Sequence, residues 1–226
     1  MFFSAAQLSK MSAAQICYVR GKEKKAATPR QIRGDSFAAS HTQSHLIEMQ
    51  SCYSRGDIDI WFTIDEIREH RDRVYIVEHK MAENAEDWFF KSSLIQTAFL
   101  GSLAGLAPHL KTARWYDGEE NYFTLPVDHH ALLNFGGMIY KVNYDVEKVM
   151  RFFLTKARAS MGYPSARQFD ATYKGKEWEF LKDVVKYRKW NRNRRTVQDT
   201  SADDRSALEQ LFREPSRVNQ QSSCYS

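Results

Sequence analysis

Apolar and polar positions change their period several times along this chain, and each change marks an element. Ile58-Asp59-Ile60-Trp61-Phe62-Thr63-Ile64 alternates with period two, as a strand with one buried face does. Arg55-Gly56-Asp57 ahead of it is a tight turn, and residues 44–54 supply the other arm of a hairpin. Val74-Tyr75-Ile76-Val77 is a continuous apolar run, short enough for a strand buried on both faces. The charged stretch between them, residues 65–73, reads as a solvated turn or loop. Over residues 84–107, Phe89, Ile95, Phe99, Leu100, Leu103 and Leu106 recur at helical spacing, which makes this the clearest helix in the chain.

The flanks are simpler. Residues 4–20 read as a short helix started by Ser4 and closed near Gly21, followed by a polar, basic connection over 22–33. Arg114-Trp115-Tyr116 and residues 122–127 suggest a hairpin around Asp117-Gly118. Residues 138–144 form a strand, and Asp145 caps an amphipathic helix over 146–159. After Pro164 the chain turns aromatic and basic, with a helix expected at 176–190. From Asp199 onward it is polar, with one short helix around Leu208. One domain over 1–198 with an N-terminal helical segment, and a partly disordered tail over 199–226, is the expected organisation. No internal repeat is visible.

Composition changes this picture little. A chain of 226 residues, 42% hydrophobic and 27% charged, is that of an ordinary globular protein with a sizeable core. Its net charge of +5 mildly favours anionic partners such as nucleic acid. The three cysteines, Cys17, Cys52 and Cys224, form no short pair, which argues against a disulfide framework or a four-cysteine metal site and for a reducing, intracellular setting. The opening residues lack the basic start and long apolar run of a signal peptide, and no run approaches the roughly 20 apolar residues that span a bilayer.

The chemistry concentrates on the two central strands. Glu78 and Lys80 share one face of their strand and His79 takes the other. An acid from the preceding strand would join them. Two carboxylates and an ammonium at the end of an apolar strand are unfavourable together unless a divalent metal and a phosphate meet there, which points to metal-dependent phosphodiester hydrolysis. Asp57 lies nearer the turn glycine and reads as a turn residue, so Asp59 is the expected acid. Taken without that acid, Glu78 and Lys80 would read equally well as a surface ion pair. Gln96 lies at the edge of the long helix's apolar face. Asp128-His129-His130 lacks any partner spacing for a metal and reads as a loop or cap. Residues 182–195 carry Lys186, Arg188, Lys189 and Arg192 with Tyr187 and Trp190 interleaved, a mixture suited to phosphate contacts and base stacking. A solvated helix face has the same composition.

Gly56-x-x-Asp59, Glu78-x-Lys80 and Gln96 within Leu94-Ile95-Gln96-Thr97-Ala98-Phe99-Leu100, in that order, resemble the motifs of the PD-(D/E)XK nuclease superfamily, closest to its RecB-like exonucleases. Arg33-Gly34-Asp35 through His41 resembles that family's glycine-to-histidine element, and Phe3-Ser4-Ala5-Ala6-Gln7-Leu8-Ser9 with Cys17 its opening segment. The resemblance covers roughly residues 1–155. It implies an α/β fold with a restriction-endonuclease-like core, a central mixed β-sheet flanked by helices. It implies Mg²⁺ or Mn²⁺ held by Asp59, Glu78 and the backbone carbonyl of His79, with His41 as a nitrogen ligand. His45 reads as the start of a strand and Glu48 as an exposed strand residue. Lys80 would stand beside the attacking water, and Gln96 would orient Lys80 or a phosphate oxygen. The Asp59 and Glu78 carboxylates should then approach within about 5 Å to share one metal. Relatives with an iron–sulfur cluster use four cysteines, and Cys17 and Cys224 are too few for one. The implied substrate is DNA, as single strands or duplex ends, with exonuclease, endonuclease and junction-resolving activities all compatible. A nucleic-acid-binding protein that keeps the fold without the chemistry is the rival from another class. No membrane is implied, and monomer, dimer and ring all fit.

Overall fold

A computed structural model describes residues 1–23, 49–70, 73–81, 86–112 and 122–190. The chain makes two mixed five-stranded sheets and six helices within these residues, where one central sheet was expected. The first sheet takes β1 (Phe2–Ser4), β2 (Met49–Arg55), β3 (Ile58–Ile64), β6 (His109–Thr112) and β7 (Tyr122–Thr124), in the order β1-β3-β2-β6-β7. The second takes β4 (Glu66–His70), β5 (Arg73–Lys80), β8 (His130–Phe135), β9 (Met138–Tyr144) and β10 (Val185–Trp190), in the order β10-β9-β8-β5-β4. β1 runs parallel to β3 and β5 parallel to β8; the other pairings are antiparallel.

The alternation in β3 sends Ile58, Ile60, Phe62 and Ile64 into the core. Its hairpin with β2 closes over Gly56-Asp57, and Gly56 holds φ 63°, where a Cβ would strain the turn. β5 is buried on both faces, as its apolar run requires. Val74 and Ile76 join the main core with α3 (Asp87–Leu106) and α4 (Val146–Ala159), while Tyr75 and Val77 pack with Leu132 and Ile139 on the opposite face. Phe99 of α3 stacks on Phe153 of α4 with ring centroids 3.7 Å apart. Asp145 caps α4 by accepting the Lys148 N–H at 3.0 Å.

Three expectations change. Residues 66–70 of the charged stretch form the edge strand β4, because Glu66 and Ile67 find buried partners there. The segment expected as one helix at 176–190 splits into α6 (Glu177–Leu181) and β10, which pairs with β9. The N-terminal helix is two helices, α1 (Ala5–Lys10) and α2 (Ala13–Glu23). Ser12 restarts the second: Gln15 N–H donates to Ser12 Oγ at 3.2 Å, and Ser12 N–H donates to Gln15 Oε1 at 2.9 Å. Asp170 of α5 (Tyr163–Tyr173) also accepts the Ala13 and Ala14 N–H groups, at 2.8 and 2.9 Å. β6 and β7 pair antiparallel, but Asp117-Gly118 lies outside the described residues, as does the tail from 199. Among the described residues no helix is long and apolar enough to cross a membrane.

Candidate active site

A single residue joins a strand of the first sheet to a strand of the second. β3 ends at Ile64 in the first sheet and β4 begins at Glu66 in the second, so Asp65 is the corner between them. Strands that switch sheets make such corners. Glu66 pairs with Val77, and one step back along that antiparallel register sets Asp65 beside Glu78. The His79 main-chain N–H donates to Asp65 Oδ2 at 2.8 Å. Glu78, 6% exposed, points toward α3, where Gln96 Nε2 donates to its Oε1 at 2.9 Å. Lys80 Nζ donates to the same oxygen. Among the described residues nothing donates to Glu78 Oε2 or Asp65 Oδ1.

Burial, and after it the charge of Asp65, push the Glu78 carboxyl up to about 7, against the pull of Lys80 and then of Lys10. A carboxylate held in that state is relieved by a cation shared with its neighbour. The donor set fits a hard divalent ion: two carboxylates, each with an oxygen that accepts from nothing among the described residues. Among the described residues no three of His, Cys, Asp and Glu gather to hold a metal by themselves, so water or backbone oxygen would complete its shell.

Behind the site, His79 turns to the opposite face of β5. Its Nε2–H donates to Glu66 Oε2 at 2.8 Å, and Asn134 Nδ2 donates to its Nδ1 at 3.1 Å. Glu66, 1% exposed, also accepts from Arg68 Nε at 2.5 Å. This network ties β4, β5 and β8 together behind Asp65 and Glu78.

Comparison with protein-family models, curated proteins and solved structures gives no match. The site therefore stands on its own geometry.

That geometry unites Glu78, Lys80 and Gln96 and sets Asp59 apart. Asp59 sits at the hairpin end of β3, on the outer side with Trp61 and Thr63, six residues before Asp65 and so about 20 Å from it along an extended strand. Its oxygens are engaged there: Ser54 Oγ donates to Oδ1 at 2.6 Å, and the N-terminal ammonium lies 3.6 Å from Oδ2. The expected approach of Asp59 to Glu78 is replaced by that of Asp65. Reading residues 65–73 as a loop concealed it; pairing of 66–70 with 73–77 would have set Asp65 opposite Glu78. Lys10, whose charge reaches Glu78 from the last turn of α1, left no signal, because its position depends on the pairing of β1 with β3. His41, His45, Glu48 and Arg192 lie outside the described residues. His129 is held by the carbonyls of Pro126 and Gly101, at 3.1 and 3.2 Å, a structural role.

The basic segment is an edge strand, and the pleat divides it. Lys189 pairs with Tyr140, which pairs with Leu133, which pairs with Glu78. Lys189 is thus on the row and face of Glu78, three strand spacings away or roughly 14 Å. Lys186 and Arg188 alternate to the other face. Trp190 ends β10 on the row of His79.

Proposed function

We propose that this chain is a metal-dependent deoxyribonuclease of the RecB-like PD-(D/E)XK type, with a restriction-endonuclease-like core, acting as an exonuclease on DNA ends or single strands. The meeting of Asp65 and Glu78 at the seam of two sheets, with Lys80 and Gln96 on the same carboxylate, carries this reading. Bound Mg²⁺ or Mn²⁺ would supply a Lewis acid for a phosphate oxygen and for water. Asp65, Glu78 and the His79 carbonyl are the oxygens that would hold it. Gln96 fixes the Glu78 carboxylate, and Lys80 places an ammonium where negative charge develops on the phosphate. In hydrolysis a water oxygen bonds to phosphorus and the water releases a proton to solvent, the P–O bond to the leaving sugar oxygen breaks, and that oxygen takes up a proton from solvent. Lys189 offers a phosphate contact along the same row.

The test is cleavage of end-labelled DNA, single- and double-stranded, linear and circular, with Mg²⁺ or Mn²⁺. Linear substrates should be degraded and circles spared, and Glu78→Ala and Lys80→Ala should each lower the rate by about a hundredfold or more. Cutting that persists in both variants sinks the assignment. Cut circles would make the enzyme an endonuclease or junction resolvase, and DNA binding without cleavage by either metal would leave a non-catalytic binding protein.

A further inference from the structure

The start of α3 carries three consecutive aromatic residues, two of which pack on the second sheet. Phe89 packs on Phe135 at 5.6 Å, and Phe135 is the register partner of Lys80. Phe90, one position on, turns toward β9 and β10, with its ring 4.8 Å from Tyr140 and 5.3 Å from Tyr187. Helical residues step by about 100°, so about Phe89 the Trp88 side chain turns the opposite way from Phe90, away from β9 and β10. The Trp88 ring meets Phe89 edge-on at 5.8 Å, and its Nε1–H donates to Glu86 Oε2. The residue is nevertheless 65% exposed. A tryptophan so open contributes little to the core, and what it offers is a flat apolar surface beside Phe89, which packs on the register partner of Lys80.

We infer that Trp88 is the stacking platform for a nucleobase of single-stranded DNA whose backbone phosphate is held at Lys80. This rests on the nuclease reading only in bringing DNA to Lys80. Every base has a π-face, so such a platform is tolerant of sequence. It selects instead for strandedness: inside a duplex both faces of a base are covered by its neighbours, whereas a single strand or frayed end leaves one free. Trp88 would thus act as a specificity residue that turns the site toward unpaired ends.

The test is binding of a fluorescein-labelled single-stranded oligonucleotide in EDTA, followed by anisotropy, with single abasic residues walked along the strand. Trp88→Ala should weaken binding about five- to a hundredfold, Trp88→Phe should recover most of the loss, and the slope of affinity against salt should not change. One abasic position should weaken binding to the wild type and have no further effect on Trp88→Ala. A thermal melt of Trp88→Ala should match the wild type, since the ring is exposed. The inference is overturned if Trp88→Ala binds like the wild type, if every abasic position acts equally in both proteins, or if the wild type binds no single strand. Wild-type binding with this Trp88 signature but no cleavage under Mg²⁺ or Mn²⁺ would uphold Trp88 and remove the nuclease reading.

Discussion

Glu78 bears the electrostatic strain of the site, and its titration makes that strain measurable. Its carboxyl is pushed up to about 7 in the fold by burial and by Asp65. A folded pKa above the unfolded one means that the native state holds the proton more tightly. The associated stability is fully present below about pH 4 and is lost as pH rises through about 7, a change on the order of 3 kcal/mol. Urea melts in EDTA should therefore show the wild type losing stability between about pH 5 and pH 8, while Glu78→Gln lacks that part of the slope. Mn²⁺ should restore the loss, because it binds the ionised carboxylate. Equal pH slopes in the two proteins would mean that Glu78 titrates normally.

Among the elements, those whose cause is local are the ones legible from sequence. β3 and β9 begin and end where their alternation does, and α4 begins at Asp145, because a turn glycine, a pleat or a cap acts over a few residues. β4 and β10 were missed because their cause is remote. Glu66 is tolerated in a strand by His79 and Arg68, and Val185 is buried and Tyr187 packs on Tyr140 only once β9 is beside them. The break before α2 is of the same kind, since part of its cap comes from Asp170, far along the chain. Asp170→Ala would orphan two N–H groups at that helix start. It should lower stability by about 1–2 kcal/mol in a denaturant melt while Asp170→Asn loses less. No change in Asp170→Ala would show that Ser12 caps the helix unaided.

At the scale of the molecule, the main core takes residues from both sheets, and the candidate site lies where β3 of the first passes into β4 of the second. Glu-x-Lys was legible from strand alternation, and Gln96 from its place on the apolar edge of a helix. The second acid was not, because a strand keeps its pattern wherever it ends, and only the switch of sheet decides which aspartate turns toward Glu78. Asp59 caps a hairpin beside Ser54 and the N-terminus, whereas Asp65 stands at the corner. The measurement that tests this most directly is the cleavage rate of end-labelled DNA under Mn²⁺ for Asp65→Asn and Asp59→Asn beside the wild type. Asp65→Asn should lose about a hundredfold or more in rate and Asp59→Asn should stay within a few-fold. A dead Asp59→Asn beside a fully active Asp65→Asn would contradict the account.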